Sequence, residues 1–204
     1  MKPEYWDRAK RALARHDTVM RGIMRRYPRI HLVARGDPFH TLARSIVGQQ
    51  ISVKAAQSVW NRFSALVPAV SPGLVLQIKR KELRTCGLSE RKCEYISDLA
   101  RRFAVGAVHV HRWPQMSDED VIAELVQVRG IGRWTAEMFL IFNLLRPDVL
   151  PLDDLGLQKA IRLAYFKRKV SLKTMARLGA TWRPWRSVAT WYLWRSLDPL
   201  PVEY

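Results

Sequence analysis

Apolar residues recur along this chain at helical spacing, and no segment alternates convincingly in the two-residue rhythm of a half-buried strand. The clearest stretch is SDEDVIAELVQV. There Val121, Ile122, Leu125 and Val128 share one face, Ser117 stands where an N-cap belongs, and acids fill the first turn. Gly130-Ile131-Gly132 breaks this pattern, and a second helix is predicted at once, from Arg133 to about Leu145. Further helices are predicted from Asp17 to Tyr27 and from Pro38 to a break at Gly48. Another follows behind Ser52, with Val53, Ala56, Val59, Trp60, Phe63 and Leu66 on one face. Ser89 caps ERKCEYISDLARRFA, Asp153 opens a helix to about Tyr165, and PWRSVATWYLWRSL carries Pro184 in its first turn and ends at Pro199. The fold class is all-α, without internal repeat, low-complexity tract or long linker.

The break at Gly130 has chemical content. Glycine tolerates the positive φ of a tight turn and lets another backbone approach closely. The opening amides of the second helix point back into that turn, where the positive end of the helix dipole suits a phosphate oxygen. A helix-hairpin-helix over about 117–145 is therefore a sequence-independent grip on a nucleic-acid backbone, through Gly130, Ile131, Gly132, Arg133 and Thr135. A lone Gly-x-Gly is usually only a turn between two core helices. Charge tips the balance. The chain has 35 Lys and Arg against 18 Asp and Glu, a net +17. That excess favours a polyanion, and its spread through the chain argues for a charged globular surface rather than a basic tail.

Composition narrows the remaining classes. A length of 204 residues with 48% hydrophobic content fits one compact unit, residues 1–204, of two interleaved helical lobes. No apolar run is long enough to span a membrane, and the N-terminus lacks the apolar core of a signal peptide. A DNA-accessible compartment is expected, cytoplasmic and nucleoid-associated in a bacterium or nuclear in a eukaryote. Cys86 and Cys93 are too few for a disulfide framework or a four-thiolate iron–sulfur cluster, and reduced structural thiols are expected. His109 and His111 would face one way on a strand, but no cysteine or carboxylate stands near enough in sequence to complete a metal site.

Five blocks in order now carry a resemblance: DPFHTLARSIVGQQISVKAAQSVWNRF (Asp37 to Phe63), GLSERKCEYISDLA (Gly87 to Ala100), VRGIGRWTAEMFLIF (Val128 to Phe142), LPLDDLGL (Leu150 to Leu157) and WRPWRSVATWYLWR (Trp182 to Arg195). The chain resembles the helix-hairpin-helix (HhH-GPD) DNA glycosylases, and within them the 3-methyladenine DNA glycosylase II type. The resemblance implies a bilobal helical body with a cleft between lobes, and the hairpin and a catalytic carboxylate at its mouth. It implies base excision repair of double-stranded DNA carrying alkylated bases, by a monomer that needs no cofactor, with room for a structural monovalent cation at the hairpin. Some longer relatives carry an α/β domain ahead of this core, whereas here about 36 residues precede Asp37.

Chemistry points to the same place. Breaking an N-glycosidic bond builds positive charge on the sugar, so a fixed carboxylate near the anomeric carbon stabilises the transition state and orients or deprotonates water. Asp153 and Asp154 are both candidates, and as neighbours at a helix start they point about 100° apart. The resemblance assigns catalysis to Asp154 and leaves Asp153 beside it, well placed to cap the helix. Bifunctional relatives place a lysine nucleophile just after the hairpin, where this chain has Trp134, so no lyase step is expected. The nearest alternative amine by sequence is Lys159.

Substrate choice rests with the pocket that receives the flipped base. The resemblance places Trp134, Met138 and Trp194 there, with Asp153 at its edge. Aromatic faces suit cationic bases such as 3-methyladenine and 7-methylguanine, through attraction of about 0.5–2 kcal/mol. Met138 stands where some relatives have an aromatic ring. Trp60, Trp182, Trp185 and Trp191 read as packing. The break at Gly48-Gln49-Gln50-Ile51 matches the loop that fills the gap left by the flipped base, with Gln50 or Ile51 as the wedge. The alternative to an enzyme is a non-catalytic helix-hairpin-helix module that only binds DNA.

Overall fold

The computed structural model describes residues 2–198, and among these every regular element is helical. The α-helices are α1 (Trp6–His16), α2 (Thr18–Arg26), α3 (Pro38–Gly48), α4 (Val53–Leu66), α5 (Pro72–Gln77), α6 (Arg80–Thr85), α7 (Glu90–Ala104), α8 (Asp118–Leu125), α9 (Arg133–Phe142), α10 (Leu155–Ile161), α11 (Leu172–Ala180) and α12 (Arg186–Leu197). A 3-10 turn covers Val110–Gln115, and α10 continues as a π-turn over Arg162–Phe166. No described helix is long and apolar enough to cross a membrane. Contacts divide the chain into two compact units, one formed by residues up to Ala34 with those from Leu140 onward, the other by Arg35–Phe139.

The first unit is built around α12. This helix buries seven consecutive residues, from Ser187 to Leu193, so every side of it is covered, and the polar Ser187 and Thr190 are buried with the rest. Trp6 of α1, 1% exposed, meets Trp191 edge-on at 5.4 Å between ring centres and lies 5.9 Å from Tyr192. Trp6, Ala9 and Leu13, spaced to share one face, explain why a charged N-terminal segment folds as a helix. Asp17 caps α2 by accepting the Met20 N–H at 2.8 Å. Its other oxygen accepts from the Tyr165 hydroxyl at 2.7 Å and the Trp182 indole at 3.0 Å, which ties the start of α2 to two distant aromatics.

The predicted elements shift in two places here. α9 stops at Phe142 rather than near Leu145, because Leu145 takes a left-handed φ of 53° and the Arg146 N–H returns to Leu140 O at 2.9 Å, closing the helix end. Pro184 lies ahead of α12 rather than in its first turn, since the Trp185 N–H folds back to Trp182 O at 2.7 Å and the helix opens only at Arg186. That helix ends at Leu197 with Asp198 as its C-cap, and Pro199 lies outside the described residues.

In the second unit α7 is central, burying Cys93, Ile96, Leu99 and Ala100. Ser52, Ser89 and Ser117 each cap the helix that follows, through the N–H groups of Ala55, Lys92 and Asp120. On α4 the buried face begins at Val59. Val53 is 55% exposed, because the first turn stands out from the core beside the preceding loop. His109 is not on a strand: its ring Nδ1 lies 2.7 Å from Glu124, whose other oxygen accepts the buried Trp113 indole N–H at 2.7 Å. Burial pushes the Glu124 carboxyl up, but the bonds from His109 and Trp113 outweigh it and hold the group below the usual range. The described residues hold no cluster of three or more His, Cys, Asp or Glu arranged to bind a metal ion.

Between α8 and α9 the chain reverses at Gly130, with φ of +83°. A Cβ there would lie 2.2 Å from the Tyr95 ring, so glycine is demanded twice, by conformation and by contact. Gly132 differs, since a Cβ there meets nothing within 4 Å. Of the two hairpin glycines, Gly130 is the one that the fold itself requires. Gly130→Ala is expected to cost at least about 1–3 kcal/mol, while Gly132→Ala leaves folding near wild type. Thermal melts of the two variants check this; equal melting temperatures would refute it.

Candidate functional site

Asp154 stands at the N-terminus of α10. Its Oδ1 accepts the Leu157 N–H at 2.6 Å and the Trp194 indole N–H at 2.8 Å. The helix cap is therefore Asp154 and not Asp153, which is exposed. The reason is local: the Asp154 N–H turns back to Pro151 O at 3.0 Å, and the helix starts one residue later than the sequence pattern suggests. One side chain thus serves as cap and as the carboxylate at the candidate centre. Gly156 completes the fit, since a Cβ there would lie 3.1 Å from Asp154 Oδ1 and 3.6 Å from the Trp194 ring.

Trp194 is held in turn. Its ring stacks on Phe142 at 5.7 Å with a 14° interplanar angle. One ring face is thereby covered, a partnership between two sequence blocks that neither block alone reveals. α12 is fastened to the loop leading to Asp154 by a second set of bonds. Arg186 grips Asp148 with Nε at 2.7 Å and a terminal nitrogen at 3.0 Å, a two-pronged pair with built-in orientation. The Ser187 hydroxyl donates to Arg146 O at 2.6 Å and accepts the Val149 N–H at 2.9 Å. Ser187 and Trp194 are two turns apart on α12, so the same helix face that anchors the loop also meets Asp154. Asp148, Arg186, Ser187, Phe142 and Gly156 escaped the sequence reading. The acid–base content of RPD and WRS was the only signal for the first two. Lys159 lies one turn into α10 and is exposed.

The remaining predicted residues belong to the second unit. The first bond of α9 runs from the Ala136 N–H to Gly132 O at 3.1 Å, so its opening amides face the Gly130–Gly132 turn. Arg133 does not simply project from that turn. It pairs with Glu119 through two bonds of 2.9 and 2.6 Å and with the buried Glu137 at 3.1 Å. The hydrogen bond from Arg133 pulls the Glu119 carboxyl below its ordinary range, and the same pair pushes the guanidinium up. Arg133 therefore braces α8 against α9. Thr135, 6% exposed, and Met138, 8% exposed, turn inward, while Trp134 is half-buried. Thr135 can meet a ligand through its backbone rather than its side chain.

The loop after α3 is brought to the hairpin. Gln49 Nε2 donates to Gly130 O at 2.8 Å, which ties up its side chain. Gln50 is exposed with a left-handed φ of 58°, and Ile51 is 41% exposed. Of the three residues predicted in this loop, the last two project and the first is an anchor.

Comparisons with known proteins bear on both clusters. Residues 43–184 match the model of the HhH-GPD superfamily base excision DNA repair proteins. The chain is similar to DNA-3-methyladenine glycosylase 1 of Schizosaccharomyces pombe, 33% identical over 165 residues that cover 74% of this chain and 72% of that protein. It is 28% identical over 201 residues to a DNA-3-methyladenine glycosylase of Bacillus subtilis, covering 91% of this chain and 65% of that one. The match to another curated relative takes in 59% of that relative's length, so the chain spans about three fifths to three quarters of these proteins. Among solved structures, the S. pombe 3-methyladenine DNA glycosylase in complex with abasic DNA superposes with a TM-score of 0.83 at 28% identity, over 96% of this chain and 100% of that one.

Capping separates two roles of the Asp154 carboxylate. Asp154→Asn keeps a good capping side chain and is expected to fold nearly as stably as wild type, whereas Asp154→Ala loses about 1 kcal/mol. Urea unfolding of both variants measures the difference; a strongly destabilised Asn variant would mean that charge, not capping, holds the turn.

Proposed function

The chain belongs to the HhH-GPD superfamily of base excision DNA repair proteins, and from that premise we propose that it is a monofunctional DNA glycosylase acting on alkylated purines. It takes 3-methyladenine, 7-methylguanine and related bases out of double-stranded DNA and leaves an abasic site. The observation that carries this reading is the Asp154 carboxylate held by Trp194 and Leu157 on one oxygen, beside the Trp194–Phe142 stack.

The mechanism follows from charge. A purine alkylated at N3 or N7 is cationic, so when its bond to the sugar breaks the electron pair goes to the base, which leaves neutral. Positive charge passes to the sugar, and Asp154 offsets it as it develops. Water then adds to the anomeric carbon and gives up a proton, with Asp154 as its acceptor or orienting group. Two N–H bonds fix one oxygen of the carboxylate, so the group need not reorganise during the reaction. Trp194 is a positioning residue in this scheme. With Phe142 against one face of its ring, the opposite face is the one that remains for a base.

Grip and extrusion are assigned to the other unit. The first-turn amides of α9 and the open approach at Gly132 suit a phosphate, and a relative bound to abasic DNA supports duplex DNA as the partner. Gln50 and Ile51 are the residues placed to fill the gap in the stack. Trp134, where bifunctional relatives have lysine, supports hydrolysis without strand cleavage.

Three outcomes test this reading. Asp154→Asn is expected to lower methylpurine release from alkylated duplex DNA by about 100-fold or more; unchanged release would refute the mechanism. Trp194→Phe keeps a ring against Phe142 but removes the indole N–H, and is expected to lower kcat by about tenfold with little change in KM. Borohydride added during turnover is expected to trap no covalent adduct, and one that disappears in Lys159→Ala would identify a lyase.

A further inference from the structure

The Gln49–Ile51 loop is supported by contacts that the proposed chemistry does not use. α3 ends at Gly48, and the last carbonyls of a helix have no donor within it. The Lys92 ammonium takes that place, donating from Nζ to Val47 O and to Gln49 O, each at 2.8 Å. Lys92 is half-buried, and burial holds its pKa below that of an ordinary lysine. Keeping a desolvated ammonium is costly unless its donors are satisfied, and a helix C-terminus satisfies them with carbonyls at the negative end of the dipole.

The same helix reaches the hairpin. Tyr95, one turn beyond Lys92 on α7, presents the ring that forbids a side chain at Gly130. One turn further, Asp98 accepts the Arg129 N–H at 3.0 Å. Gln49 closes the circuit with its bond to Gly130 O. Lys92, Tyr95 and Asp98 thus form one stripe on α7 that sets the height of both the loop and the turn. Beyond the anchored Gln49, the left-handed Gln50 carries the chain outward.

We infer that Lys92 is a positioning residue for base extrusion, bracing the Gln49–Ile51 loop so that Gln50 or Ile51 holds its place in the stack while the lesion is turned out. This rests on reading the loop as the segment that fills the gap. Extrusion from a paired duplex opposes stacking and pairing, whereas an unpaired base gives up far less. A loose wedge therefore harms release of paired lesions selectively. A support needed only for folding would harm both alike.

The test uses Lys92→Met, which removes the charge and both donors, and Lys92→Arg, which keeps two donors. Release is measured from a duplex with one paired 7-methylguanine and from one with the same base in a one-nucleotide bulge. Lys92→Met is expected to lose about tenfold or more on the paired duplex and little on the bulge, with Lys92→Arg restoring most of the loss. Equal losses on both substrates, or none, would overturn the inference. A second readout needs no catalysis: 2-aminopurine opposite an abasic analogue brightens when a wedge unstacks it. Wild type is expected to brighten it and Lys92→Met to bind without doing so; a wild type that leaves it dark, or a variant that matches wild type, also overturns the inference. If wild type releases no base from either duplex, the glycosylase reading fails while the fluorescence result still decides the role of Lys92. Should Lys92→Met not fold, Gln49→Leu, which cuts the loop from Gly130 O, is expected to show the same split between paired and unpaired lesions.

Discussion

A carboxylate that must meet a developing cation is useful only if its orientation is settled beforehand, and in this protein that constraint falls on the bond from the Trp194 indole to Asp154 Oδ1. The bond requires α12 and the start of α10 to hold their relative height. Asp148 with Arg186, and Ser187 with the backbone of Arg146 and Val149, supply that registration two turns earlier on the same helix face. Phe142 then limits rotation of the ring. A side chain at Gly156 would press on both partners. The unit is thus organised so that the candidate catalytic group is over-determined, with the cap of α10 as its lower support.

The second unit solves a different problem with α7. A loop and a hairpin distant in sequence both rest on one helix, through an ammonium, a ring and a carboxylate placed a turn apart. Each contact has its own physical basis: carbonyls at a helix end, a close approach that only glycine allows, and a backbone amide needing an acceptor. Their common origin on α7 is what makes the loop and the turn one piece. Arg133, paired with Glu119 and Glu137, adds a clamp between α8 and α9 although its side chain stays half exposed.

Much of this was legible in the chain. Ser52, Ser89 and Ser117 announce their helices because capping is a local interaction. Gly130 announces the turn because its φ is a local demand. Elements whose identity rests on distant partners were harder to read. α1 lay hidden in a charged segment until Trp6, Ala9 and Leu13 met the rings of α12. Val53 matched the apolar face of its helix by spacing, yet the turn that carries it stands clear of the core.

Periodicity, local conformation and charge along the chain were enough for the all-α class, the hairpin and a basic surface suited to a polyanion, and the resemblance of the LPLDDLGL block drew attention to the pair of aspartates. Packing in three dimensions was needed to show which aspartate caps α10, that Gln49 anchors while Gln50 and Ile51 project, that Trp194 gives its N–H to Asp154, and that Lys92 closes the end of α3. These are pairings between residues from about forty to about eighty positions apart, apart from the cap itself, and no local pattern encodes which donor will reach which acceptor.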